Sequence, residues 1–116
     1  LPQRARDDRG RRLNLLEIPD TVANDHFVYR IEKMTPDQAL AFYKESFDRM
    51  YRLGGMFQTC LHPYISIKED PARERVYREL IRYMVSRENV VFMRMKDLCG
   101  YWKSREGLHE INSLFG

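Results

Sequence analysis

The chain has 116 residues, of which 43% are hydrophobic and 32% are charged, and its formal net charge is +3. This length fits at most one ordinary domain, and this composition excludes the disordered and fibrous classes. No apolar stretch approaches the roughly 20 residues of a membrane-spanning helix, so we expect no membrane partner.

The first segment, residues 1–12, is polar and holds much of the positive charge in Arg4, Arg6, Arg9, Arg11 and Arg12. A basic cluster can bind nucleic acid. Here Asp7 and Asp8 interrupt it, and no aromatic or glycine-rich motif accompanies it. We therefore predict a flexible basic leader and no nucleic-acid partner.

The next elements are a strand and a helix. The apolar run Leu13–Ile18 predicts a buried strand that ends at Pro19, and residues 20–26 predict a loop. Residues 27–31 are compatible with a short extended piece. Thr35, Pro36 and Gln38 then form the capping-box pattern of a helix start. Its apolar stripe runs through Leu40, Tyr43, Phe47, Met50 and Leu53, and Gly54 and Gly55 predict its end.

The second half of the chain repeats this alternation. Met56–Leu61 predicts a second buried strand, closed by His62 and Pro63, and residues 64–69 predict a loop. Asp70 and Pro71 predict the start of a second helix with an apolar face of Val76, Tyr77, Leu80, Ile81 and Met84. Val90–Met93 predicts a third strand. A last helix is marked by Met95, Leu98 and Trp102.

Strands that alternate with helices favour an α/β fold with parallel pairing. Three strands are few for a free-standing sheet, and the chain is shorter than the roughly 250 residues of a closed α/β barrel. A start at Leu1 also suggests a fragment or a processed product. We therefore expect part of a larger barrel, or a partial sheet that needs a partner along its open edge.

His62 is the strongest candidate for chemistry. It stands at the predicted carboxyl end of a buried strand, the end that faces the active site in α/β folds. Imidazole can donate a proton to a leaving amine or accept one from water near neutral pH. The alternative is a histidine held at a strand end by backbone hydrogen bonds. Tyr64 follows at the same end and is a candidate substrate-binding residue.

Three more candidates lie within the first predicted strand or in the loop that follows it. Glu17 lies inside its apolar run, where a carboxylate must be paired or face a cavity. Asn24 and Asp25 follow in the loop, also at the expected catalytic end. On spacing alone, these two are better explained as turn residues whose side chains bond to the local backbone.

Metal and redox patterns are weak. The histidines, His26, His62 and His109, are widely separated, and no ligand spacing typical of zinc sites occurs, so we predict no metal site or cofactor within this chain. Cys60 and Cys99 lie beside apolar residues, which predicts buried, reduced thiols and a cytoplasmic location.

Several segments together resemble one family, the polysaccharide deacetylase (NodB-homology) proteins, most closely the branch of allantoinases and peptidoglycan deacetylases. The resemblance covers roughly residues 13–103, which leaves 1–12 as leader and 104–116 as a tail. The segments that carry it are Leu15–Pro19 with Asn24-Asp25, Phe47-Asp48 with Tyr51 and Gly54, Leu61-His62-Pro63, Arg73 to Tyr83, Asn89 to Phe92, Leu98 and Trp102.

This resemblance implies the C-terminal part of a distorted (β/α)7 barrel, with three or four parallel strands. It implies hydrolysis of non-peptide C–N bonds in an amino-sugar amide or a small cyclic amide, with His62 as general acid and Asn24-Asp25 lining the pocket. The family's metal site, a zinc or other divalent ion, and its proposed base lie upstream of the matched part. The alternative is a non-catalytic α/β fragment that acts in association or structure. Either hypothesis predicts a homo-oligomer or association with a missing N-terminal part.

Overall fold

The computed structural model describes residues 2–106, and they fall into two compact units. Of the described residues, the first unit contains 2–18 and 91–106, and the second contains 19–90. The elements in chain order are β1 (Gln3–Arg6), β2 (Arg12–Glu17), a π-helical turn π1 (His26–Ile31), α1 (Pro36–Leu53), a second π-helical turn π2 (Tyr64–Lys68), α2 (Arg73–Val85) and α3 (Met95–Lys103).

The first unit is built on an antiparallel hairpin. β1 pairs with β2 so that Gln3 lies opposite Glu17 and Arg4 opposite Leu16. The turn is held by Asp7, whose carboxylate accepts the backbone N–H groups of Arg9 and Arg11 at 2.9 and 2.8 Å. The segment predicted as a basic leader therefore contains a strand and an ordered turn. Residues 107–116, most of the predicted tail, lie outside the described residues.

The prediction of α1 is confirmed, including both of its ends. The Thr35 hydroxyl accepts the Gln38 N–H at 3.2 Å, and the Gln38 side chain accepts the Thr35 N–H at 3.0 Å. Gly54 ends the helix in the left-handed region, at φ 63°. Leu40, Tyr43 and Phe47 are buried as predicted, whereas Leu53 is 73% exposed because it lies in the last turn, beyond the packed part of the stripe.

The core of the second unit lies between α1 and α2. From α2, the side chains of Val76, Leu80 and Met84 are buried, at the helical spacing of one face. Ile81 is half exposed. The two π-helical turns contribute Val28, Tyr29 and Ile65 to the same core. Packing of these faces, more than helix propensity, stabilises the helices.

The predicted parallel sheet and the (β/α)7 barrel part are wrong. Within residues 2–106 the only sheet is the two-stranded antiparallel pair of β1 and β2. The first predicted strand forms as β2 but is not buried, since Leu13 and Leu15 are 41% and 59% exposed. Residues 90–93 form no strand, and Val91 is 72% exposed. An apolar run indicates that a segment can be buried, but it does not supply the neighbouring strand that a ladder requires.

The predicted second strand makes only a few backbone hydrogen bonds to a neighbouring segment. The backbone carbonyl of Gln58 accepts the N–H groups of Thr21 and Val22 at 2.8 and 3.0 Å, and that of Cys60 accepts the Asp25 N–H at 3.5 Å. These bonds join residues 21–25 to residues 56–60, but they are too sparse to form a β-ladder. The two segments therefore lie side by side as extended loops.

The cysteines also differ from expectation. Cys60 is exposed and Cys99 is half-buried, so neither is the buried thiol that its apolar neighbours predicted; both are free. Among the helices of residues 2–106, none combines the length and apolar character that crossing a bilayer requires.

Two glycine substitutions should have opposite effects on stability. Gly54→Ala should lower the free energy of unfolding by about 1 kcal/mol, because φ is positive there although space for a Cβ is open. Gly100→Ala, in the middle of α3, should raise it by about 0.5–1 kcal/mol, since alanine favours helix and nothing lies within 4 Å of the new Cβ. Urea denaturation followed by circular dichroism measures both. If both substitutions changed the free energy of unfolding in the same direction, the assigned backbone conformations would be contradicted.

Candidate functional site

The site is centred on a hydrogen-bonded pair formed by Asp25 and His62. His62 Nδ1 lies 2.7 Å from Asp25 Oδ1, and the His62 backbone N–H donates to Asp25 Oδ2 at 2.6 Å. The Asp25 side chain has no exposed surface, whereas the His62 side chain is 50% exposed. One partner is thus sealed in the second unit while the other reaches solvent.

This geometry determines which ring nitrogen of His62 carries the proton when the ring is neutral. An ionised carboxylate can only accept hydrogen bonds, so Nδ1 must be the donor. Nε2 is then left with its lone pair, and within residues 2–106 no side chain or backbone group hydrogen-bonds to it. The half-exposed ring therefore offers a proton acceptor to a molecule from solution.

The pKa of Asp25 reflects a competition. Burial raises it, but the hydrogen bonds from the His62 ring, the Ser66 hydroxyl and the His62 backbone outweigh burial, and the pKa is lowered overall. Asp25 is therefore ionised at neutral pH. This supports the assignment of the Nδ1 proton.

The two π-helical turns bring the pair together. π1 begins directly after Asp25, and π2 begins two residues after His62. The Ser66 backbone N–H donates to the His62 carbonyl at 2.8 Å, which ties π2 to the histidine. The Ser66 hydroxyl, which is buried, donates to Asp25 Oδ2 at 2.5 Å. The wide turns of π-helices often occur at functional sites.

Two threonines hold the segments that carry the pair. The Thr21 hydroxyl donates to the Met56 carbonyl at 2.7 Å and accepts the Gln58 N–H at 2.9 Å. From the other side, the Thr59 hydroxyl donates to the Ala23 carbonyl at 3.0 Å. These side-chain hydrogen bonds supplement the few backbone hydrogen bonds and hold Asp25 next to His62.

The arrangement differs from a serine-hydrolase triad. In such a triad the serine bonds to the histidine nitrogen remote from the carboxylate. Here Ser66 bonds to the carboxylate itself and is buried. No serine or cysteine in the described part of the chain hydrogen-bonds to His62 Nε2. The pair can therefore transfer a proton, but its serine is not placed as a nucleophile.

The other predicted site residues lie elsewhere. Asn24 accepts the Phe27 N–H at 3.0 Å through its side chain, which is the local turn role that spacing favoured. Tyr64 begins π2 and is 61% exposed. Glu17, at the end of β2, belongs to the first unit; it is exposed and accepts a hydrogen bond from the Gln3 side chain at 3.2 Å. Of these candidates, only Asp25 is hydrogen-bonded to His62.

Sequence reasoning missed Ser66 and assigned Tyr77 only to the core. Ser66 falls in a segment that was predicted as loop, although its position four residues after His62 is the spacing of a helical turn. Tyr77 Oη lies 3.1 Å from Ser66 Oγ, so the hydroxyl of this α2 residue joins the site. No sequence pattern marks that contact, which depends on the docking of π2 against α2.

A cavity of about 190 Å³ lies apart from the pair. Residues 21–23 line one side, and Phe42, Ser46, Arg49 and Met50 of α1 line the other. Neither Asp25 nor His62 contributes to its wall. The chemistry of the exposed imidazole, not the volume of this cavity, therefore defines the candidate site.

The residues near the pair do not fit a zinc centre. Within residues 2–106, no group of three or more histidine, cysteine, aspartate or glutamate side chains is placed to hold a metal ion. Asp25 also has its carboxylate oxygens occupied by hydrogen bonds from His62 and Ser66. His109 lies outside the described residues.

Asp25→Asn should destabilise the protein in a pH-dependent way. Because its folded-state pKa is lowered, the carboxylate contributes stability above the unfolded value of about 3.9, and this contribution is lost as pH falls through the folded pKa. At pH 7 the variant should lose about 2 kcal/mol, and the difference should shrink in acid. Urea denaturation at several pH values measures this.

The control for that experiment is Asp37→Asn. The Asp37 side chain is 85% exposed and pairs with Arg75 at 2.7 Å, so its loss should cost less than about 1 kcal/mol. A pH-independent difference for Asp25→Asn would contradict the buried, ionised state of Asp25.

Comparisons of this chain with protein-family models, with curated proteins and with solved structures found no match. The resemblance to polysaccharide deacetylases therefore stays a prediction from the sequence. Function must be inferred from the geometry around Asp25 and His62.

Proposed function

We propose that this chain supplies the general acid–base histidine, His62, of a hydrolase that acts on non-peptide C–N bonds, of the polysaccharide deacetylase type. The observation that carries the proposal is the 2.7 Å contact between His62 Nδ1 and the buried carboxylate of Asp25. A buried carboxylate that orients a half-exposed imidazole is the arrangement that proton-transfer catalysis requires.

In the proposed reaction, His62 acts first as a base and then as an acid. Neutral His62 accepts a proton at Nε2 from a water molecule as the water oxygen bonds to the amide carbonyl carbon. The protonated ring then donates this proton to the amide nitrogen, the C–N bond breaks, and a carboxylic acid and an amine leave. Asp25 stabilises the ring while it is positively charged and holds its orientation through both steps.

The substrate class is proposed from the sequence resemblance and from the exposed imidazole. The lone pair of Nε2 is exposed, so an amide group can approach it from solution, and Tyr64, 61% exposed and two residues away, is a candidate contact for it. The sequence resemblance makes an N-acetylated amino sugar the first substrate to test. The free cysteines suit the reducing, cytoplasmic compartment that the sequence predicts.

His62→Gln should lower kcat by about 10²–10⁴-fold in the natural full-length protein, because glutamine cannot shuttle the proton. The substrates to use are chitin oligosaccharides, with release of acetate as the measurement, and p-nitroacetanilide, with release of p-nitroaniline. His26→Gln is the matched control, since the His26 side chain is also exposed and makes no hydrogen bond to the Asp25 carboxylate.

Circular dichroism of both variants separates loss of chemistry from loss of folding. Full activity of a folded His62→Gln protein would contradict the proposal, as would the absence of amide hydrolysis by the wild-type protein on both substrates.

A second candidate, a role in association, is favoured by apolar surface on the first unit. Val91, Phe92, Met93 and Met95 are 47–72% exposed, and four such residues within five positions are unusual for a surface that faces only water. On β2, Leu13 and Leu15 are exposed as well. A second copy of the chain or a further protein segment would bury such side chains.

If these residues mediate self-association, light scattering should give a mass above that of the 14.0 kDa monomer at micromolar concentration. Val91→Ser with Phe92→Ser should then restore the monomer, because polar side chains remove the gain from burial. Val85→Ser is the control, as Val85 is 64% exposed but lies in the other unit. A monomeric wild-type chain would reject self-association.

A further inference from the structure

Four polar side chains form a continuous hydrogen-bonded row from α2 to the candidate site. Tyr77 Oη lies 3.1 Å from Ser66 Oγ, Ser66 Oγ lies 2.5 Å from Asp25 Oδ2, and Asp25 Oδ1 lies 2.7 Å from His62 Nδ1. The row joins four parts of the second unit: α2, π2, the segment before π1 and the segment before π2. Asp25 and Ser66, in the middle of the row, are buried, and His62 at one end is 50% exposed.

The direction of the hydrogen bonds in this row is determined by the carboxylate. Asp25 can only accept, so the single proton of the Ser66 hydroxyl points to Asp25. The contact between Ser66 and Tyr77 must then use the Tyr77 proton and a lone pair of Ser66. Every member donates toward Asp25, from Tyr77 through Ser66 on one side and from the His62 ring on the other.

We propose that Tyr77 is a positioning residue, which acts through Ser66 to hold Asp25 and thereby to keep the Nε2 lone pair of His62 directed to substrate. This inference rests on the proposed function and extends it to two residues that touch no substrate. The Asp25 carboxylate fixes the direction of the Ser66 proton, and the bond from Tyr77 occupies a lone pair of Ser66 and so holds its oxygen in place against Asp25. Hydrogen bonds in such a row also strengthen one another.

The surroundings of Tyr77 favour this role. The hydroxyls of Tyr29 and Tyr43 are buried and bond to neither Ser66 nor Asp25; burial, together with the neighbouring Tyr77 hydroxyl, raises the pKa of both, so they are neutral. Arg73 lies over the Tyr29 ring at 4.2 Å and donates to the Ile65 carbonyl at 2.6 Å. Within the described residues, Tyr77 is thus the tyrosine whose hydroxyl connects to the pair.

Other charged and titratable groups also sense Asp25. Besides His62, its charge acts on Tyr29, Arg30 and Tyr43, and Arg30 is paired with Glu69. None of these side chains hydrogen-bonds to the Asp25 carboxylate. Removal of the Ser66 or Tyr77 hydroxyl therefore changes the hydrogen bonding of Asp25 without removing a charge.

The test compares Tyr77→Phe and Ser66→Ala in the natural full-length protein. Nitrogen-15 NMR of the histidine rings should show a single Nδ1–H tautomer for neutral His62 in the wild type and an added Nε2–H population in both variants. Turnover of chitin oligosaccharides should fall about tenfold in kcat for Ser66→Ala and less for Tyr77→Phe, with KM unchanged because neither residue touches substrate.

Tyr83→Phe is the matched control. Tyr83 also lies on α2 and also donates to a carboxylate, that of Asp48 at 2.8 Å, but it has no link to His62. It should leave the His62 tautomer and kcat unchanged. If Ser66→Ala does not fold, Tyr77→Phe, which removes one oxygen from a half-buried side chain, decides the outcome.

An unchanged His62 tautomer in folded Tyr77→Phe would overturn the inference even if His62→Gln were inactive. Conversely, a shifted tautomer in Tyr77→Phe together with full activity in His62→Gln would support the positioning row and would reject the proposed function. The NMR readout needs no substrate, so the two ideas can fail separately.

Discussion

The carboxylate of Asp25 has no exposed surface, and a buried charge without partners costs several kcal/mol. The chain meets this cost with donors from three sources: the His62 ring, the His62 backbone and the Ser66 hydroxyl. All of these donors must point at the same carboxylate. The segment before π1 and the segment before π2 can therefore pack against each other in only one relative position. The hydrogen-bonded geometry of the pair and the local fold are therefore consequences of the same requirement.

The scaffold around this carboxylate is made of short, wide turns held by long helices. α1 and α2 bury their apolar faces against each other and provide most of the core of the second unit. π2 is attached to α2 by Arg73, which donates to the Ile65 carbonyl and also pairs with Glu69 at 3.1 Å. The turns alone would be too short to be stable, so the rigidity of the site derives from the helices behind it.

The exposed apolar side chains of residues 91–93 and of Met95 belong to the first unit, and the Asp25–His62 pair belongs to the second. Residues 91–93 and β2 carry apolar surface that the described chain does not cover, whereas Asp25 and Ser66 are fully enclosed within residues 19–90. These two features of the chain therefore lie in different units.

What the sequence by itself determined is mostly local. The capping box at Thr35, the stop at Gly54 and the apolar spacing of Val76, Leu80 and Met84 predicted α1 and α2, because these signals act within a few residues of each other. Met56–Leu61 and Val90–Met93 looked equally regular, yet neither forms a strand, since a strand depends on a partner that is distant in sequence.

The candidate site also has one part that the sequence predicted and another that it did not. His62 could be selected from the sequence, since an imidazole at the end of an apolar segment is a local pattern. The role of Asp25 could not be derived from spacing, because Asn24-Asp25 reads as an ordinary turn and Asn24 indeed serves as one. The bond across 37 positions to His62, and the contact of Ser66 with Tyr77, exist only once π2 packs on α2. Tertiary structure decided them, because hydrogen-bond partners far apart in the chain are chosen by packing and not by local preference.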